Sequence, residues 1–226
     1  MGEIVEFPSN GSTARGYLAT PPSGTGPGVV VIQEWWGLVD HIKDVADRFA
    51  AEGFVALVPD LYHGKTTREP DEAGKLLMSL NLEQAAKDMS GAVDYLAAHS
   101  RGDGVGVVGF CMGGGLALLL GTLRPDVVKA VVPFYGLLTW PSPDPDWSKM
   151  AAAVQGHYAE ADEGAGPAAV EKLEKELGSR GVEVQMFLYP GTQHAFFNDT
   201  RPEVYAPEAA AQAWQRTLEF LRRHLA

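Results

Sequence analysis

The stretch Val105-Gly106-Val107-Val108-Gly109-Phe110-Cys111-Met112-Gly113-Gly114-Gly115-Leu116-Ala117-Leu118-Leu119-Leu120 decides how this chain is read. Val105 to Phe110 is a short apolar run suited to a buried strand, and Gly114 to Leu120 reads as a buried helix. Between them, Gly109-Phe110-Cys111-Met112-Gly113 sets the single cysteine of the chain on a Gly-x-nucleophile-x-Gly turn. A side chain at the apex of so sharp a turn sits on strained backbone, and the flanking glycines let strand and helix approach without a clash. Cys111 is therefore a candidate nucleophile. Two plainer readings compete with it. A free cysteine is often just a small buried hydrophobe. Gly104, Gly106 and Gly109 also match G-x-G-x-x-G, with Asp126 about where a ribose-binding acid would stand. That fingerprint should follow a strand, however, whereas two of these glycines flank Val105 at the strand's start, and Asp126 precedes the next apolar run.

Outward from this turn the chain alternates between strand and helix patterns. Glu3 to Phe7 and Arg15 to Ala19 read as a hairpin joined through Pro8-Ser9-Asn10-Gly11-Ser12, whose Asn-Gly pair is a strong turn signal. Strands are expected at Val29 to Gln33, Phe54 to Val58, Ala130 to Phe134, Ala151 to Gln155 and Val182 to Tyr189. Helices are expected at His41 to Ala51, Glu72 to Met78, Leu82 to Ala98, Ala168 to Leu177 and Pro207 to Leu225, with a proline-rich loop from Pro141 to Trp147. Runs such as Val29-Val30-Val31-Ile32, apolar on both faces, indicate a mostly parallel sheet covered by helices, an α/β fold. In such sheets the working residues collect at the carboxyl ends of strands. Four of those ends carry reactive residues: Glu34-Trp35-Trp36-Gly37, Cys111, the loop from Gly156 through His157 and Glu160 to Asp162, and Pro190-Gly191-Thr192-Gln193-His194.

At 226 residues, with no linker-like segment and no internal repeat, the chain is expected to form one domain spanning residues 1–226. A net charge of −11 and the lack of a basic run argue against nucleic acid or an anionic membrane as partner. No run approaches the length of a membrane span, and Met1-Gly2-Glu3-Ile4-Val5-Glu6 lacks the features of a signal peptide, so a soluble cytoplasmic protein is expected. One cysteine allows no internal disulfide, and its free thiol suits a reducing compartment.

A thiol attacks as thiolate, so it needs a base or cation beside it, and that base needs an orienting group. Cys111, His194 and Asp162 can fill these roles. Their order along the chain, nucleophile, acid, histidine, is the order in which the α/β-hydrolase fold presents its triad. His41, His63, His99, His157 and His224 are less suitably placed, since only His194 lies on the loop before the terminal helix. For the acid, Glu160, Glu163, Asp144 and Asp146 stay open beside Asp162. Glu34, following an apolar strand and preceding two tryptophans, is expected to be partly desolvated, with a raised pKa, and able to exchange a proton with the thiol. The plainer reading pairs it with a basic side chain or turns it to solvent. In this fold the oxyanion hole takes a backbone N–H from the residue after the nucleophile and one from the loop after the early strand, here Met112 and Trp35. Trp36, Tyr62, Tyr135 and Phe196 are candidates to line a substrate pocket. H-E-x-x-H, Cys-x-x-Cys, phosphate-loop and EF-hand patterns do not occur, so no metal is required.

With Glu34, Cys111, Asp162 and His194 in place, the chain resembles the dienelactone hydrolase family, a branch of the α/β-hydrolase fold with a cysteine nucleophile. The resemblance rests on Gln33-Glu34-Trp35-Trp36-Gly37, Pro59-Asp60-Leu61-Tyr62, Gly109-Phe110-Cys111-Met112-Gly113-Gly114 and Gly191-Thr192-Gln193-His194-Ala195-Phe196. It implies a cofactor-free enzyme that cleaves a small ester or lactone through an acyl-enzyme; a monomer is expected because monomers are common for this fold. In it Glu34 would help convert the Cys111 thiol to thiolate as substrate arrives. In the dienelactone-cleaving members arginines hold the substrate carboxylate. Here Asn198 stands where one of those arginines would, Arg201 lies further on, and Thr66-Thr67-Arg68 offers no assured equivalent of the other. A carboxylesterase of broad acyl specificity and a non-catalytic ligand-binding member of the fold are the competing expectations.

Overall fold

A computed structural model describes residues 2–138 and 145–225. Eight strands form one sheet: β1 Glu3–Ser9, β2 Ser12–Ala19, β3 Pro27–Ile32, β4 Val55–Pro59, β5 Arg101–Phe110, β6 Val128–Phe134, β7 Ala153–Ala161 and β8 Val184–Gln193. The helices are α1 Asp40–Ala51, α2 Pro70–Met78, α3 Leu82–His99, α4 Met112–Leu123, α5 Pro167–Gly178 and α6 Pro207–Leu225. The order across the sheet is β1-β2-β4-β3-β5-β6-β7-β8. β1 and β2 join antiparallel, and from β4 to β8 every neighbouring pair is parallel. The expected hairpin forms, and Asn10 and Gly11 turn it with φ of 40° and 95°, the paired positive angles that a two-residue turn needs to match strand twist.

Strand alternation explains why the central strands read as unbroken apolar runs. Val29 and Val31 pack under α1 and α6 with Phe49, Leu218 and Leu221, while Val30 and Ile32 face the opposite layer with Leu96, Val93 and Leu116 of α3 and α4. Both faces are covered, so neither needs polar side chains. Burying each such side chain contributes about 1.5–3 kcal/mol.

Most strand limits shift by one to three residues from expectation, and the largest departures are three, each where pairing extends a strand beyond its apolar residues. β5 starts at Arg101 rather than Val105: Arg101 pairs with Pro27, and the register shifts between Val105 and Gly106. β7 runs on to Ala161, so the expected loop from Gly156 is mostly strand, laddered to β8 as far as Gln193. β8 itself reaches Gln193, four residues past Tyr189. Of the proline-rich loop, Pro141 to Asp144, including the candidate acid Asp144, lie outside the described residues, and the loop ends in a 3-10 turn at Trp147–Lys149. Among the described residues no helix is long and apolar enough to cross a membrane.

Candidate active site

The turn at Cys111 is as sharp as its glycines imply. Cys111 has φ 55° and ψ −119°, outside the favoured regions for a residue with a side chain, at a cost of about 1–3 kcal/mol. Its N–H donates to Phe134 O at 3.0 Å, and its carbonyl accepts from Gly114 N at 2.9 Å. A Cβ on Gly109 would lie 1.9 Å from Gly113 O, and one on Gly113 would lie 2.4 Å from Ile32 O. Both positions therefore require glycine. The free thiol of Cys111 is partly exposed at the tip, directly before the N-terminus of α4.

Asp162 follows β7 and is 8% exposed. Its Oδ1 accepts from the N–H groups of Gly164 (2.9 Å) and Ala165 (3.0 Å), which leaves Oδ2 to accept from His194 Nδ1 at 2.7 Å. Burial alone would raise its pKa, but the hydrogen bond and charge of His194, with the two backbone donors, hold it below the usual carboxylate range. His194 stands one residue past β8. Burial pushes its imidazole down, yet the hydrogen bond to Asp162 and then the hydrogen bond and charge of Cys111 outweigh it, lifting the pKa to about 10. Because Nδ1 is held by Asp162, the nitrogen turned to the sulfur is Nε2. His194 thus stands between the Asp162 carboxylate and the Cys111 side chain.

The rival acids and bases fall away on geometry. Glu160 accepts from Gly191 N, Asp146 serves Ser148 and Lys149, and Glu163 is exposed. His157, placed on a loop by the sequence reading, instead sits buried on β7. Its Nδ1 meets Tyr189 OH at 2.8 Å and its Nε2 meets Thr217 Oγ1 at 3.1 Å. Thr217 gives its one proton to Ala213 O, so His157 donates from Nε2 and accepts at Nδ1. Burial, and next the charge of Arg216, lower its pKa to about 3 and keep it neutral.

Glu34 is 4% exposed, and among the described residues no basic side chain pairs with it. Oε1 accepts from Tyr135 OH at 3.2 Å and Oε2 from Asn198 Nδ2 at 2.9 Å. Asn198 is held in turn, its Oδ1 accepting from Thr200 N and Oγ1. Tyr135, which has φ 37°, also stacks edge-on to the His194 ring at 5.1 Å. Burial, the charge of Glu34 and the charge of Cys111 push its hydroxyl well up, so it stays a donor. The sequence pointed to Glu34 and Tyr135 separately. The bonds joining Glu34 to Tyr135 and Asn198 span 101 and 164 positions and leave no local pattern.

Met112 opens α4, so its N–H has no partner within the helix. Trp35 lies in the turn closed by Gly37 N to Glu34 O and meets Trp36 edge-on at 5.1 Å. Tyr62 donates to Met112 Sδ at 3.3 Å, and its pKa is raised by burial and then by the charge of Cys111. Trp36 lines an open cavity of about 460 Å³. Phe196 is fully buried and packs on Tyr135 and Tyr189 as core.

A parallel sheet carrying a strained turn at Cys111 between β5 and α4, with an acid after β7 and a histidine after β8, fits the α/β-hydrolase class. Comparison with known proteins narrows this. The sequence model of the Dienelactone hydrolase family matches residues 14–225. The chain is 41% identical to "Protein usf" of Aquifex pyrophilus and 36% identical to a protein of Aquifex aeolicus named as a candidate carboxymethylenebutenolidase, each over 100% of both chains. A candidate dienelactone hydrolase from Klebsiella pneumoniae subsp. pneumoniae superposes with a TM-score of 0.88 at 27% identity, covering 99% of this chain and 98% of its own. The chain belongs to the dienelactone hydrolase family and is a carboxylic ester hydrolase of that kind.

Proposed function

We propose that the chain cleaves small esters or lactones with Cys111 as nucleophile, His194 as acid and base, and Asp162 as its orienting group. The observation that carries this reading is His194 held between Asp162, at 2.7 Å, and the Cys111 side chain. The thiolate attacks the carbonyl carbon, and the oxyanion forms against the N–H groups of Met112 and Trp35. As the C–O bond breaks, the His194 imidazolium gives its proton to the departing oxygen, leaving a thioester on Cys111. His194 then takes a proton from water, whose oxygen attacks the thioester and releases the acid. In a lactone the departing alcohol stays attached, and the product is a hydroxy acid or its keto form.

Glu34 is the second acceptor for the thiol proton in this scheme. Tyr135 and Asn198 hold its carboxylate and supply it with no positive charge. The name of the Aquifex aeolicus relative makes a dienelactone the first substrate to try. Asn198, standing in place of an arginine, favours a second reading, an esterase of broad acyl specificity. The free thiol suits a reducing compartment such as the cytoplasm.

The test compares the parent protein with Cys111→Ala and Cys111→Ser on dienelactone and on 4-nitrophenyl acetate. The expected result is loss of at least about 10³ in kcat/KM for the alanine variant. Intact-mass detection of an acylated parent that the variant lacks should accompany it. Equal rates in parent and Cys111→Ala would remove Cys111 from the mechanism. The ratio of kcat/KM for dienelactone to that for the simple ester decides between the two readings.

A further inference from the structure

Just past β6 the chain turns through Tyr135, Gly136 and Leu137. Tyr135 takes φ 37° there, a left-handed angle that a residue with a side chain keeps only where its surroundings impose it. They do so from two sides. On one side is the turn at Cys111: Phe134 O accepts from Cys111 N at 3.0 Å, and a Cβ on Gly136 would stand 1.9 Å from Cys111 O and 2.9 Å from Gly114 Cα. The backbone of Gly136 thus lies directly against that turn. On the other side is β7. His157 O accepts from Tyr135 N at 2.8 Å, and the hydroxyl of Tyr158 donates to Gly136 O at 3.2 Å. Two consecutive residues of β7 therefore hold the two polar ends of one dipeptide, the N–H of Tyr135 and the carbonyl of Gly136.

Tyr158 carries a polar atom into an apolar place. It is fully buried and packs with Leu137, Ala165, Val170 and Met186, a setting in which phenylalanine would fill the same space with no hydroxyl to satisfy. Among the described residues that hydroxyl makes one hydrogen bond, to Gly136 O. Burial, and next the charge of Asp162, push its pKa up, so it keeps its proton and stays a donor. What the bond secures lies one residue away, in the Tyr135 side chain, whose hydroxyl donates to Glu34 Oε1 and whose ring meets His194 edge-on at 5.1 Å. We propose that Tyr158 is a positioning residue for hydrolysis: by fixing the Gly136 carbonyl, its hydroxyl holds Tyr135 in the strained conformation that aims the Tyr135 hydroxyl at Glu34. This rests on the reading of Cys111 as nucleophile with Glu34 beside it. Tyr158 is too deeply buried to meet substrate and acts only through Tyr135. Without its bond the turn loses one of its two anchors on β7, Tyr135 relaxes toward negative φ, and its hydroxyl leaves Glu34. The same strand ends one residue before Asp162, so β7 sets both the acid and this turn.

The test compares the parent protein with Tyr158→Phe, Tyr135→Phe, the double variant and a packing control, Val170→Ala, which thins the cluster around Tyr158 but leaves its hydroxyl in place. Each is assayed on 4-nitrophenyl acetate at a temperature where all are folded, and the His194 ring resonances, which feel the Tyr135 ring, are followed by NMR. Tyr158→Phe is expected to lower kcat about tenfold with KM unchanged and to move the His194 resonances. Val170→Ala should lower Tm yet leave kcat and those resonances at parent values. Because Tyr158 acts through the Tyr135 hydroxyl, adding Tyr158→Phe to Tyr135→Phe should lower kcat by less than about twofold further. A parent-like kcat in Tyr158→Phe, a loss that falls on KM instead, or a double variant whose loss is the product of the two single losses overturns the proposal. If Cys111→Ala keeps the parent activity, it is the nucleophile assignment that fails. The placement of Tyr135 by Tyr158 is then decided by the His194 resonances: movement in Tyr158→Phe supports it, and a spectrum unchanged from the parent overturns it.

Discussion

Single residues in this site are held by neighbours that leave them one useful orientation. Asp162 spends one oxygen on two backbone donors and points the other at His194, so the imidazole has a single tautomer to offer the sulfur. Because Cys111 contributes to the raised His194 pKa of about 10, Cys111→Ala should move the imidazole titration downward, read by NMR of the ring. A histidine with a raised folded pKa stabilises fully below its unfolded value and loses that contribution as pH rises through the folded one. The gap in Tm between the parent and His194→Ala should therefore shrink as pH climbs from 6.5 to about 10. Asp162, lowered in the folded state, works in the other direction. Its contribution fades only in acid, outside that window. At Glu34, Asn198→Leu removes the donor to a buried oxygen and is expected to cost about 1–3 kcal/mol in denaturant unfolding. It should also slow alkylation of Cys111, which distinguishes it from a substitution that is merely destabilising.

At the level of elements, the turn between β5 and α4 works because two backbones touch where side chains would otherwise stand. Gly113→Ala would push a Cβ into Ile32 O and Gln33 O at 2.4 and 2.6 Å, prising the end of β3 away from the turn. The expected cost is about 2–4 kcal/mol, with activity falling further than stability, because Glu34 and Trp35 follow that same end of β3. Comparing kcat at a temperature where both proteins are folded checks this. β7 shows the opposite case, a segment with Gln155, His157 and Tyr158 that lacks a strand-like apolar pattern yet pairs with β8 from Val154 to Ala161. Buried His157 is tolerated there because Tyr189 and Thr217 satisfy both ring nitrogens.

For the whole molecule, the parallel run from β4 to β8 is what assembles the site. Parallel strands end on the same side, so residues after β3, β5, β7 and β8 meet at one edge although Glu34 and Asn198 are 164 positions apart. The two covering layers pack against both faces of the sheet that forms that edge. Phe49→Ala, fully buried under α6 against Phe54 and Trp214, is expected to cost about 3–5 kcal/mol, lowering Tm by roughly 10 °C. The rate of Cys111 alkylation in the folded fraction should stay at the parent value.

Legibility followed the range over which each interaction acts. The Asn10-Gly11 turn, the doubly apolar run Val29 to Ile32 and the glycines beside Cys111 are short-range demands of backbone sterics and burial, and they could be read directly. The ends of β5, β7 and β8 could not, because a polar residue joins a strand when a neighbour offers a ladder, whatever its own preference. Likewise Tyr135 was legible only as an aromatic residue near a strand end, and its hydroxyl's bond to Glu34 depended on where β6 and β3 finally lay. Sequence alone therefore determined the alternating α/β layout and the sharp turn at Cys111, and singled out His194 with a small set of loop acids as its candidate partners. The tertiary structure decided which acid faces the imidazole, that Glu34 is held by neutral donors, and that Tyr158 meets the backbone just past β6. Those outcomes rest on distances between residues far apart in the chain, which only the packed sheet brings within reach of a hydrogen bond.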